Sequence, residues 1–208
     1  NDKLDVDKTT YEPIKKLENY SFYHERFFNG ATINPRCFYF VEIKQSNKSG
    51  LDIGLDLKNP LITTEQNSAA KEPWSLTLQG NVNENQLFNT ILGTDLIPFW
   101  YRRRRLIVLP IKIKNGVVEI YKKHDDSELF RANSSAYFKD VENCWIKNRT
   151  KKCENFNVYE WLNYRNKLSN QNPKSKYRVI FTASATYLTC AVVNPSTPYL
   201  FEVNQNKI

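Results

Sequence analysis

The chain has 208 residues, 40% hydrophobic and 13% aromatic, enough apolar surface for one sizeable core and too much for a disordered chain. Its formal charge of +8 makes a polyanion or an anionic surface a natural partner. No apolar run reaches the roughly 18 residues of a membrane span, the amino end is no signal peptide, and four scattered cysteines fit neither a disulfide scaffold nor a zinc site.

Those cysteines, Cys37, Cys144, Cys153 and Cys190, are expected as reduced thiols of a cytoplasmic protein, several of them in the core. Methionine is absent even at position 1, which predicts a piece of a larger chain.

In chain order, Tyr20, Tyr23, Phe27 and Phe28 have helical spacing, with Asn29-Gly30 as the stop. Gly30 and Pro35 predict a turn, and the apolar run over 37–43 predicts a buried strand with Arg36 at its mouth. An unpartnered guanidinium there is costly to bury, so Arg36 is expected to reach a carboxylate within the fold or a phosphate outside it. Residues 51–57 alternate as a half-buried strand, 59–73 read as loop, and 74–80 alternate again. Leu87, Phe88, Ile91 and Leu92 suggest a helix capped by Asn83 or Asn85 and stopped by Gly93.

The next segment, 106–114, pairs through the turn signal Asn115-Gly116 with 117–121 as a hairpin. From Ser134 the period becomes helical: Tyr137, Phe138, Val141, Cys144 and Trp145 line one face behind a serine cap. A second helix opens on the capping-box pair Asn157 and Glu160, with Val158, Trp161, Leu162 and Leu168 lining one face. Strands at 177–182, 187–193 and 199–203 close the chain. The order implies one α+β domain over 1–208, a mixed or antiparallel twisted sheet with a two-helix insertion at about 134–169.

Two basic tracts stand out. Arg102, Arg103, Arg104 and Arg105 follow Phe99-Trp100-Tyr101, mixing flat rings with guanidiniums in a way that suits base stacking and phosphate clamping. The plain alternative is a solvated edge strand that resists aggregation. The second tract contains Tyr164, Arg165, Lys167, Asn170, Asn172, Lys174, Lys176 and Arg178. Lysine and arginine supply charge to phosphates, while asparagine pairs with adenine and arginine with guanine where a loop reaches the major groove. Its plain alternative is a polar loop after a helix end whose basic residues complement the dipole.

Three blocks in order resemble the target-recognition region of type IIG-like restriction–modification adenine-N6 DNA methyltransferases. They are Gly30-Ala31-Thr32-Ile33-Asn34-Pro35-Arg36 with its aromatic Phe-Val strand; Leu96-Ile97-Pro98-Phe99 with Val108-Leu109-Pro110-Ile111; and Trp161 to Pro173 followed by Lys176-Tyr177-Arg178-Val179-Ile180-Phe181. Where such proteins often carry Ser-Gly-Thr, this chain has Ser184-Ala185-Thr186. The resemblance implies duplex DNA as partner, together with a methyltransferase domain of the same parent chain that would use S-adenosylmethionine. It implies no cofactor and no metal in this segment, which has no glycine-rich cofactor turn. Asn194-Pro195-Ser196-Thr197-Pro198-Tyr199 has the wrong spacing for the motif that holds a flipped adenine.

Two other readings stay open. Glu42 and Lys44 form half of the Asp…Glu-x-Lys arrangement of magnesium-dependent endonucleases, with the lysine assisting water attack. A non-catalytic protein-interaction domain is the other.

Overall fold

The computed structural model describes residues 30–44, 56, 58–66, 70–131, 133–172, 177–182 and 189–193. The expected helix at 20–28, nearly all of the strand at 51–57, the strand at 199–203, and Lys174 and Lys176 lie outside the described residues. What is described mixes helices with strands, and every strand pair is antiparallel.

The run after Pro35 begins as a single helical turn, α1 (Arg36–Tyr39), and only then extends into β1 (Val41–Ile43). An apolar run does not by itself separate a buried strand from a buried helical turn, so the expected strand over 37–43 is corrected to its last three residues. Cys37, Phe38, Tyr39, Phe40 and Val41 are all buried. The presumed loop at 59–73 contains β2 (Leu61–Thr64), which pairs with β1 on one side and with β3 (Gln79–Asn81) on the other. The alternation over 74–80 therefore yields strand only at its end.

The expected helix over 87–92 is also overturned. Asn83 does cap, but it caps one 3-10 turn (Glu84–Gln86), its side chain accepting from the Asn85 amide at 3.0 Å. The chain then extends as β4 (Leu87–Thr90). Its partner decides this: Leu87 and Phe88 lie opposite Val108 and Ile107 of β7 (Arg105–Val108), and cross-strand burial outweighs an apolar spacing that suits either element. Between them, β5 (Leu96–Ile97) and β6 (Trp100–Tyr101) form a two-residue hairpin.

The predicted strand over 106–114 breaks at Leu109-Pro110. Its second half, β8 (Ile111–Lys114), pairs with β9 (Val117–Ile120) through Asn115 at φ 54° and Gly116 at φ 81°. Both central residues are left-handed, as a type I′ turn requires, so the Asn-Gly hairpin stands.

Beyond the short α2 (Ser127–Arg131), α3 (Ser135–Asn148) turns Tyr137, Phe138, Val141 and Trp145 into the core, as their spacing predicts. It lies so close to β3 that a Cβ on Gly80 would stand 3.2 Å from Tyr137 Cδ2 and 3.3 Å from its Cβ, which explains a glycine inside a strand. The Tyr137 hydroxyl donates to the Phe38 carbonyl at 2.7 Å, tying α3 to α1. Ser134 precedes the helix without capping it. Its hydroxyl accepts from the Asn83 amide at 2.9 Å and donates to Gln86 Oε1, joining the helix start to the 3-10 turn.

The second helix, α4 (Val158–Leu162), has both arms of its capping box: Glu160 N donates to Asn157 Oδ1 at 2.8 Å, and Asn157 N to Glu160 Oε2 at 2.9 Å. Strands β10 (Arg178–Phe181) and β11 (Cys190–Val193) form the last described ribbon. No helix among the described residues is long and apolar enough to cross a membrane. All four cysteines are free, and burial pushes the Cys37 thiol up to about 12, which suits a packing role rather than a reactive one.

Among the described residues the Tyr39 hydroxyl is buried with no hydrogen-bond partner. An orphaned buried hydroxyl costs about 1–3 kcal/mol. Tyr39→Phe is therefore expected to raise Tm by a few degrees in a thermal melt; a fall would show that the hydroxyl is satisfied in solution.

Candidate nucleic-acid interface

The first basic tract leaves the β5–β6 hairpin. Pro98 and Phe99 make the turn, with Phe99 at φ 63°, a left-handed position that a bulky residue occupies at a cost. Two backbone bonds brace it: the Phe99 amide donates to the Cys190 carbonyl at 2.9 Å, and the Arg102 amide to the Asp95 carbonyl at 2.8 Å. The tip projects its rings outward. Phe99 is 84% exposed and Trp100 59%, the latter stacked on Tyr101 at 5.1 Å and 11°.

The four arginines of this tract do different things. Arg105 points inward, its Nε donating to Asp95 Oδ2 at 2.7 Å and its Nη1 to both Glu65 oxygens at 2.7 and 3.0 Å. It is an internal tie, with 14% of its side chain exposed. Arg103 reaches the same Asp95 at 3.3 Å but leaves 58% of its side chain exposed. Arg104 lies over the Tyr101 ring at 5.4 Å, with Nε and Nη2 donating to its hydroxyl at 3.0 and 2.7 Å. Arg102 is exposed. Hydrogen bonding from Arg105, reinforced by Arg103, holds the buried Asp95 carboxyl below its ordinary range, and the same contact raises Arg105.

Neither Asp95 nor Glu65 stands out in the sequence. The available signal is an acid placed just before a short Pro-turned hairpin, whose closure sets it beside the first residues after the second strand.

The second tract is built on an aromatic ladder. Trp74 faces Trp145 at 5.9 Å, Trp145 faces Trp161 at 5.7 Å, Trp161 faces Tyr164 at 5.6 Å, and the Arg165 guanidinium covers Tyr164 at 5.3 Å. Instead of continuing the helix, the chain turns sharply, with Arg165 at φ 57° and Asn166 at φ 58°. Tyr164, Arg165, Asn170 and Asn172 are exposed. Asn163 is committed internally: its Oδ1 accepts from the Ser169 amide at 3.0 Å and its Nδ2 donates to the Ser169 hydroxyl at 3.2 Å. Lys167 Nζ donates to Thr32 Oγ1 at 3.4 Å, which sets this tract beside the Gly30–Arg36 block. The exposed Arg36 lies 5.5 Å above the Phe40 ring.

At the far end, Arg178 donates to the Asn172 carbonyl. Arg178 opens β10, and its opposite end, Phe181, faces Cys190, the residue that braces the Phe99 turn. The ribbon β10–β11 thus links the two tracts over about 10 Å of strand.

The endonuclease candidates sit elsewhere. Glu42 is exposed on β1 opposite Thr63, and Lys44 Nζ donates to Gln79 Oε1 at 3.0 Å. Among the described residues no three His, Cys, Asp or Glu side chains gather as a metal site would need. No family model, no curated protein and no solved structure matches this chain.

Proposed function

We propose that this chain binds duplex DNA as the target-recognition part of a bacterial restriction–modification adenine-N6 methyltransferase. In this reading it is one cytoplasmic recognition domain with the helical pair at about 134–169 inserted in it. Methyl transfer and the S-adenosylmethionine that supplies the methyl group belong to another domain of the parent chain. The observation that carries the DNA-binding part is the exposed pair Arg102 and Arg103 beside the exposed rings of Phe99 and Trp100, with Arg104 laid over Tyr101 behind them. The net charge of +8 and the second basic tract at the other end of β10–β11 support the same partner. The family assignment rests on the three sequence blocks alone.

The test is fluorescence anisotropy with duplex DNA across a salt series. Arg102→Ala with Arg103→Ala, which leaves the Asp95–Arg105 pair in place, is expected to weaken binding to all sequences alike. The slope of log K against log salt should fall by about 2, close to 0.9 per phosphate contact. An unchanged slope removes these arginines from the interface.

A further inference from the structure

We infer that the Pro98-Phe99 tip is a wedge that enters a base-pair step of duplex DNA and kinks it. This deepens the DNA-binding reading and rests on it. A phenyl ring 84% exposed is ordinarily a liability, and here it is held at a left-handed φ of 63° that glycine would adopt without strain. Nothing in the core requires the ring, because it projects away from the core. The chain nevertheless braces the backbone that carries it: the Phe99 amide is tied to Cys190, and the hairpin is closed at its base by Arg102 on the Asp95 carbonyl. The two strands behind it continue into the Asp95–Arg105–Glu65 tie.

An apolar projection on a braced turn, with cations at its base, is what an intercalating side chain needs. The ring must be pushed into the stack without folding back, and the charges must grip the phosphates on either side while the bases part. Arg102 and Arg103 leave the base of the hairpin, three and four residues after Phe99, and are exposed. Trp100 is stacked on Tyr101, so it follows as a second flat face behind Phe99 rather than as an independent probe.

The experiment uses the 208-residue chain and an end-labelled, mixed-sequence duplex of about 25 bp containing TA and CA steps, which open most easily. Energy transfer between the ends reads the bend, and anisotropy reads the affinity. The wild-type chain is expected to bring the ends closer. Phe99→Gly, which relieves the backbone strain, is expected to melt no lower than wild type, to bind roughly 5- to 150-fold more weakly, the span of one base–aromatic stack, and to leave the duplex straight. Phe99→Leu, an apolar wedge of smaller size, is expected to keep part of the bend. Wild-type binding without bending, or a Phe99→Gly variant with full affinity and full bend, overturns the wedge and leaves the DNA-binding reading standing. Absence of salt-sensitive binding by the wild-type chain overturns both.

Discussion

Asp95→Ala is expected to destabilise the chain by about 3 kcal/mol, the lower end of the range for removing one partner of a buried ion pair. Its carboxylate is 7% exposed and Arg105 14%, so both charges have lost most of their water. The loss stays at the lower end because Glu65 continues to hold Arg105 at 2.7 Å. Arg105→Met introduced with Asp95→Ala should recover part of the deficit, since the half-compensated guanidinium is then gone and Glu65, 26% exposed, keeps part of its water. The pH dependence has a definite sign. Arg105 depresses the folded-state value of Asp95 below the 3.8 of a free carboxyl, so the stabilisation is complete above about pH 4 and is lost as pH falls through the folded value. Urea melts from pH 7 down to pH 3 should show a larger acid loss in the wild type than in Asp95→Asn, whose remaining loss comes from other paired carboxylates such as Glu128. A midpoint unchanged in Asp95→Ala at pH 7 would remove the tie from the account. Because the same carboxylate anchors Arg103 and the Asp95 carbonyl closes the hairpin, the variant also tests whether a loosened base weakens DNA binding beyond its effect on folding.

That tie shows where sequence reasoning reaches its limit. Local chemistry was legible: the Asn115-Gly116 turn, the Asn157–Glu160 capping box and the buried face of α3 all follow from residues within a few positions of one another. The segments 37–43 and 87–92 mislead because a short apolar run fits a strand and a helical turn equally well, and only the partner settles it. Phe88 has its partner in Ile107 and Val41 in Thr64, both far along the chain. The basic tract shows the same limit at the site. Four consecutive arginines read as one patch, yet Arg105 turns inward to an acid ten residues back and another forty residues back. The exposed ring of Phe99 was visible in the sequence only as part of an aromatic cluster; its left-handed backbone is a property of the closed hairpin.

Phe38→Ala is expected to cost about 3–5 kcal/mol, the usual range for emptying a buried phenylalanine site, against a total stability on the order of 5–15 kcal/mol. Phe38 is fully buried and meets Tyr39 at 6.1 Å and Trp74 at 5.7 Å, both edge to face. Its carbonyl also receives the Tyr137 hydroxyl, so the site lies where α1 meets α3. Little relaxation is available: Gly80 already lets α3 approach β3 as closely as side chains allow, so the cavity cannot close by moving the helix nearer. Trp74 is the inner rung of the ladder that ends at Tyr164 and Arg165, so the damage should travel outward along it. The near-ultraviolet dichroism of the tryptophans should weaken along with the denaturant midpoint. Phe38→Leu, which keeps most of the volume, should cost less than about 1.5 kcal/mol and leave the dichroism nearly intact. If Phe38→Ala melts like the wild type, α1 does not pack into the core and the Arg36 block is not anchored beside the second basic tract. If it melts early with its dichroism unchanged, the ladder is held from α3 and α4 alone, and Tyr164 and Arg165 owe their placement to the capping box and the turn at Asn163 rather than to the aromatic stack.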